Sequence, residues 1–207
     1  GDFRSPKRYV AAPDKSDLRA AVKKLLAAKK PVIWAGQGVL YAGASAALTE
    51  LAELTQIPVI TTMPGKSAFD ERHPLSLGAA NKSAPKGVWE WLKSSDVLFA
   101  IGASLTKTNF GINIPDGKTL IHSTANYDDI DKEYTTDIGL MGDAHKTIRM
   151  LIDEIKAENG EGGRKSDSTN REAVAEVKKE WMNDWSELLN SSMDPINPYR
   201  LVNEINK

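Results

Sequence analysis

The sequence contains no cysteine. Disulfides, thiolate zinc sites and cysteine nucleophiles are therefore excluded, a composition that fits a cytoplasmic protein. No apolar run approaches the length of a membrane span, and no stretch reads as a signal peptide. Net charge is almost absent: 27 Lys and Arg against 28 Asp and Glu leave −1, which gives no general pull toward nucleic acid or an anionic membrane. Histidine is scarce. His73, His122 and His145 lie in three separate segments with no Asp/Ser arrangement beside them, so neither a hydrolytic triad nor a histidine metal site is expected.

What remains suits a packed enzyme-like domain. With 207 residues, 41% of them hydrophobic, the chain can form one domain of ordinary size plus tails. Charge is uneven along it. Residues 1–30 hold nine Lys or Arg against three Asp, which reads as a linker followed by a solvated helix face.

The most informative stretch is 31–66. An apolar run, Pro31 to Ala35, ends in Gly36-Gln37-Gly38; a helical pattern follows; a second run, Pro58 to Thr62, ends in Met63-Pro64-Gly65-Lys66. Glycines where a strand hands over to a helix allow phosphates to approach backbone N–H groups at a helix start. A dinucleotide fingerprint would place a third glycine at position 41, which is Tyr41, with Gly43 two residues late. The same glycines would equally serve a tight strand-to-helix turn.

Residues 1–14 read as a linker. Ser16 or Asp17 is placed to cap a helix whose stripe is Leu18, Ala21, Val22, Leu25 and Leu26. Strands are expected at 32–35, 59–62, 75–77, 97–101, 119–123 and 138–141. Helices are expected at about 43–55, 85–95 and, capped by Asp143, to about 157. Strands that are continuous apolar runs alternating with helices indicate a doubly wound parallel sheet of about six strands, covered on both faces. Residues 158–170, rich in Gly and Ser, read as a flexible linker. A helix over 171–190 carries Trp181 and Trp185 on one face. Asn197-Pro198 starts another so close to the last residue that the natural polypeptide is expected to continue.

Several segments together carry a resemblance. PVIWAGQGV, LTELAELTQIPVITTMPGKSAFDERHPLSLG, SSDVLFAIGASL, TLIHSTANYDDIDKEY and IGLMGDAHKTIRMLI, in that order over about residues 17–157, resemble the central domain of thiamine-diphosphate-dependent enzymes of the acetolactate synthase, pyruvate oxidase and 2-oxo-acid decarboxylase group. The resemblance implies a Rossmann-like domain of the DHS-like NAD/FAD-binding type (15–157), flanked by missing pyrimidine- and diphosphate-binding domains of the same polypeptide. It implies a lyase or transferase that is a homodimer or homotetramer, using thiamine diphosphate and Mg²⁺ bound outside this chain. The family's Gly-Asp-Gly motif for Mg²⁺ and diphosphate occurs nowhere here; the nearest text is Gly142-Asp143-Ala144. The chain alone is therefore expected to be catalytically inert, with no catalytic and no metal-binding residues.

In some family members the central domain holds FAD, in others an adenine nucleotide, in others nothing. If a nucleotide binds, the open-sheet rule puts it at the carboxyl ends of the strands. The candidates are then Gly36, Gln37 and Gly38; Thr61, Thr62, Gly65 and Lys66; Gly102 and Ser104; and Thr124 and Asn126. Lys66 would act as a point charge on a phosphate, or be an ordinary surface lysine. Two departures weaken the flavin case. An Arg-Phe-Asp-like segment is replaced by Ser104-Leu105-Thr106-Lys107, and His-Ile-Asp-x-Asp by His122-Ser123-Thr124-Ala125-Asn126. The acid expected to accept from ribose hydroxyls is thus absent at 124 and 126, and Asp128, Asp129 and Asp131 read as caps of the following turn. A stand-alone FAD- or NAD-binding module and a purely structural interaction domain are the alternatives.

Overall fold

The computed structural model describes residues 4, 10–164 and 169–206. Most of the expected linker over 1–14 lies outside that set, as does part of the one over 158–170.

Six strands form one sheet: β1 (Pro31–Ala35), β2 (Val59–Thr62), β3 (Ser76–Ala80), β4 (Val97–Ile101), β5 (Thr119–Thr124) and β6 (Ile138–Met141). Their order is β3-β2-β1-β4-β5-β6, and all five pairings are parallel. The expected doubly wound parallel sheet is present. The order reverses between β1 and β4, where the chain returns from the far edge to the middle, so the carboxyl ends of these two strands flank the switch point.

Strand alternation sorts the sheet's side chains into two cores. Ile33, Val59, Phe99, Ile121 and Leu140 face helices α1 (Lys15–Ala27), α3 (Ser45–Thr55) and α5 (Ala144–Asn159). On the other face Val32, Trp34, Ile60, Leu98 and Leu120 meet α4 (Lys86–Ser94) and Val174 of α6 (Thr169–Asp184). Each fully buried large apolar side chain here contributes about 1.5–3 kcal/mol of transfer free energy. Both faces being covered explains why the strands read as unbroken apolar runs.

Helix boundaries refine the expectations. Asp14, rather than Ser16 or Asp17, caps α1, its carboxylate accepting from the Ser16 amide at 2.7 Å. The helix expected over about 43–55 is α3, and a single short turn that the sequence pattern did not announce, α2 (Gln37–Tyr41), precedes it. Gly43, at φ +63°, forms the corner between them. Asp143 caps α5 by accepting from the Lys146 amide at 3.1 Å. The helix expected over 171–190 divides into α6 and α7 (Ser186–Leu189), and Asn197 caps α8 (Pro198–Ile205) as expected.

α6 is fastened to the sheet domain. Val174 is fully buried, Arg171 donates to the Gln56 side chain at 2.9 Å, and Lys178 donates to the Glu71 carbonyl at 3.0 Å. Gly87 lets the helix approach: a Cβ there would stand 2.7 Å from Val177. Beyond α6, Trp185 packs between Trp181 and Tyr199, at ring separations of 5.3 and 4.8 Å.

Candidate functional site

The carboxyl ends of β1, β2, β4, β5 and β6 open into a crevice of about 1080 Å³, at the upper end of the range for ligand pockets. Of the residues expected at a ligand site, Gln37, Gly38, Thr62, Gly102, Ser104, Thr124 and Asn126 line it, whereas Gly36, Thr61, Gly65 and Lys66 do not. Lys66 points elsewhere, to the Glu71 carboxylate at 2.6 Å. Trp34 is buried and also lines the crevice.

The glycines have a specific task. A Cβ on Gly36 would lie 2.2 Å from the Gly102 carbonyl oxygen, and one on Gly38 2.7 Å from the Gly102 Cα. Gly102 itself sits at φ +62°, and a Cβ there would come within 2.7 Å of the Val39 nitrogen. Gly65 closes on Gly36 in the same way, at 2.8 Å. The backbones after β1, β2 and β4 thus touch without side chains between them, and Gly38 and Gly102 form the floor of the crevice above these contacts. Their amides are committed as well. Gly36 N–H donates to Ile101 at 2.9 Å, Gly38 N–H to Gly102 at 2.8 Å, and Gly102 N–H to Ser123 at 2.9 Å. The turn therefore serves close packing between neighbouring loops, using the hydrogen bonds that a phosphate cradle would leave open.

Between β4 and β5 the chain runs from 102 to 118 without regular structure. Leu105, Ile112 and Ile114 anchor this segment in the second core, and Leu105 and Ile114 form one wall of the crevice. Long irregular segments of this kind are commonly functional.

The remaining wall carries the acids. Asn126, not an aspartate, caps the 3₁₀ turn over Tyr127–Asp129, while Asp131 accepts from the Thr136 amide at 2.7 Å. That turn brings Asp129 to the crevice, where its carboxylate accepts from the Thr124 hydroxyl at 3.1 Å. Sequence reasoning sought an acid at 124 or 126 and missed this one. The signal was Asp129 itself, carried back by a tight turn. Asp143 also lines the crevice, at the start of α5.

Beneath this wall His122 is buried, its Nε2 2.8 Å from the Ala103 carbonyl. Burial holds its imidazole below the ordinary histidine range, against the opposing pull of the Ala103 carbonyl, Asp129 and Asp131. A histidine kept neutral by folding stabilises fully above its unfolded value of about 6.5, and that contribution is lost as pH falls below it. The urea midpoint should therefore drop between pH 7.5 and 5, and His122→Asn should remove part of that drop.

Comparison with known proteins bears on this fold and crevice. Residues 18–151 match the family model "Thiamine pyrophosphate enzyme, central domain". The chain belongs to that family. Among its relatives, a probable acetolactate synthase large subunit of Methanococcus aeolicus is 31% identical over 201 residues, covering 91% of this chain and 32% of the relative. The Methanocaldococcus jannaschii counterpart is 33% identical over 191 residues, covering 91% and 31%. Glyoxylate carboligase of Escherichia coli O157:H7 is 29% identical over 209 residues, covering 96% and 33%. A crystal structure of a candidate thiamin diphosphate-dependent enzyme from Mycobacterium smegmatis superposes with a TM-score of 0.60 at 28% identity, over 73% of this chain and 30% of that one. The central-domain chain spans about a third of the length of these relatives.

The thiamine cofactor's diphosphate and Mg²⁺ do not fit this central domain's own residues. Among the described residues no three His, Cys, Asp or Glu side chains gather to hold a metal. Asp143, in the nearest approach to a Gly-Asp-Gly sequence, is committed to capping α5. No described helix is long and apolar enough to cross a membrane.

Proposed function

We propose that this chain is the central, positioning domain of a thiamine-diphosphate-dependent enzyme of the acetolactate synthase type, acting on 2-oxo acids or related acyl donors. In such an enzyme the cofactor supplies an electron sink for acyl chemistry, held with Mg²⁺ by amino- and carboxyl-terminal domains of the same polypeptide. The assembly would be a homodimer or homotetramer in the cytoplasm. The observation that carries the reading is the family match across both cores, joined to a domain that gathers no metal-holding side chains among its described residues.

The tail supports a positioning role. No residue of α8 is buried, and Leu201, Val202 and Ile205 are exposed on it. An apolar helix presented in this way suits contact with a neighbouring domain. α6, clamped to Gln56 and Glu71, would set the direction in which that neighbour lies. Kinship would put FAD or an adenine nucleotide in the crevice.

Turnover tests the proposal. A polypeptide carrying this chain with both flanking domains should convert a 2-oxo acid or related acyl donor when thiamine diphosphate and Mg²⁺ are supplied, and this chain alone should not. Turnover by the chain alone, or a flanked polypeptide with no thiamine-dependent activity on any such donor, would contradict it.

A further inference from the structure

The crevice has the place and size of a nucleotide site but not the chemistry of one that holds phosphates. A diphosphate is bound by unspent backbone N–H groups, by a helix start, or by Lys and Arg. The N–H groups of Gly36, Gly38 and Gly102 are spent on neighbouring carbonyls, those of Gly142 and Asp143 on Thr124 and Ala11. α2 is one short turn, and the start of α5 already holds the Asp143 carboxylate. Among the described residues no Lys, Arg or His lines the crevice. The nearby cations do not line it and have partners of their own: Lys66 pairs with Glu71, while Lys107 over the Tyr134 ring at 4.7 Å and Lys132 on the Thr106 hydroxyl at 3.3 Å rest on residues of its wall.

What the crevice does present is a carboxylate and aromatic surface. Asp129 is fixed by the Thr124 hydroxyl and retains acceptor capacity for other donors. Tyr41 and Phe110, at 73% and 84% exposure, stand at its mouth, where a planar ring can stack.

We infer that this crevice excludes diphosphate-bearing nucleotides and admits phosphate-free aromatic ligands that carry hydroxyl groups, with Asp129 accepting from a hydroxyl. The inference stands on the crevice alone and does not depend on the thiamine reading. If it holds, the place that kinship would give to FAD has been turned to a neutral ligand.

Two matched pairs isolate the phosphates: riboflavin against FAD, and adenosine against ADP. Each is titrated into the full chain at low ionic strength, by flavin fluorescence or calorimetry. At least one phosphate-free member should bind saturably, with its diphosphate partner at least about tenfold weaker, because like charges repel most when salt does not screen them. Asp129→Asn, which keeps an oxygen for the Thr124 hydroxyl, should weaken the phosphate-free ligand and narrow the ratio to about threefold or less. FAD or ADP binding as tightly as its counterpart, no saturable binding of either pair, or a ratio untouched by Asp129→Asn would each overturn the inference.

Discussion

Gly36→Ala is expected to cost about 3 kcal/mol or more, enough to remove a large fraction of the stability of an ordinary domain. The added methyl would stand 2.2 Å from the Gly102 carbonyl oxygen, 2.6 Å from the Ala103 Cα and 2.7 Å from its Cβ. Two of those atoms are backbone, and the Gly36 amide holds the residue before them through its bond to the Ile101 carbonyl. Relief therefore requires β1 and β4 to part at their carboxyl ends, which breaks the floor of the crevice and disturbs both cores. Gly43→Ala is the control. Gly43 sits at positive φ, +63°, where Gly36 is at −100°, and a Cβ at Gly43 meets nothing within 4 Å, so only the conformational cost of about 1 kcal/mol is expected. Urea midpoints of the two variants separate the two explanations of the glycine-rich turn. A mild effect at Gly36 would mean that the loops after β1 and β4 give way to a side chain at little cost.

Val174→Asp is expected to release α6 and with it the tail. Val174 is fully buried against the second core, beside Trp91 and Val88 of α4. An unpaired carboxylate there costs several kcal/mol, and undocking the helix is the easiest escape. The sheet should remain, since five of its neighbouring contacts are strand pairings that do not involve α6. Limited proteolysis should then cut within 163–185 much faster than in the parent chain, and emission from Trp181 and Trp185 should shift to the red. Unchanged cleavage would show that the contacts of Arg171 with Gln56 and of Lys178 with Glu71 hold the helix without its apolar anchor.

The sheet was legible because its strands are buried on both faces. Val97–Ile101 is a continuous apolar run between Asp96 and Gly102, Val59–Thr62 opens on two apolar residues after Pro58, and Ile138–Met141 lies between Asp137 and Gly142; the structure has strands at all three. Parallel order followed from the helical patterns between them. The role of Gly36 and Gly38 was not legible, because the group that demands them, Gly102, is far away in sequence and arrives only when β4 pairs with β1. α2 was hidden by its glycine and its single turn. The third strand was placed at 75–77 and lies at Ser76–Ala80, where a bulge at Gly78, φ +102°, interrupts the pattern. At the crevice, residue types could be listed by strand exit, but not the direction of their side chains. Lys66 turns to Glu71, and Asp129 arrives through a turn that local spacing does not announce.

The proposed role is that of a domain that positions a thiamine-dependent reaction carried out by neighbouring domains, without itself holding the cofactor. Calorimetric titration of the chain with thiamine diphosphate in the presence of Mg²⁺ tests it most directly. No saturable heat is expected, because no described His, Cys, Asp or Glu side chains gather for the metal, no described cation lines the crevice, and the amides of Gly36, Gly38, Gly102, Gly142 and Asp143 are spent. Stoichiometric, Mg²⁺-dependent binding would contradict it.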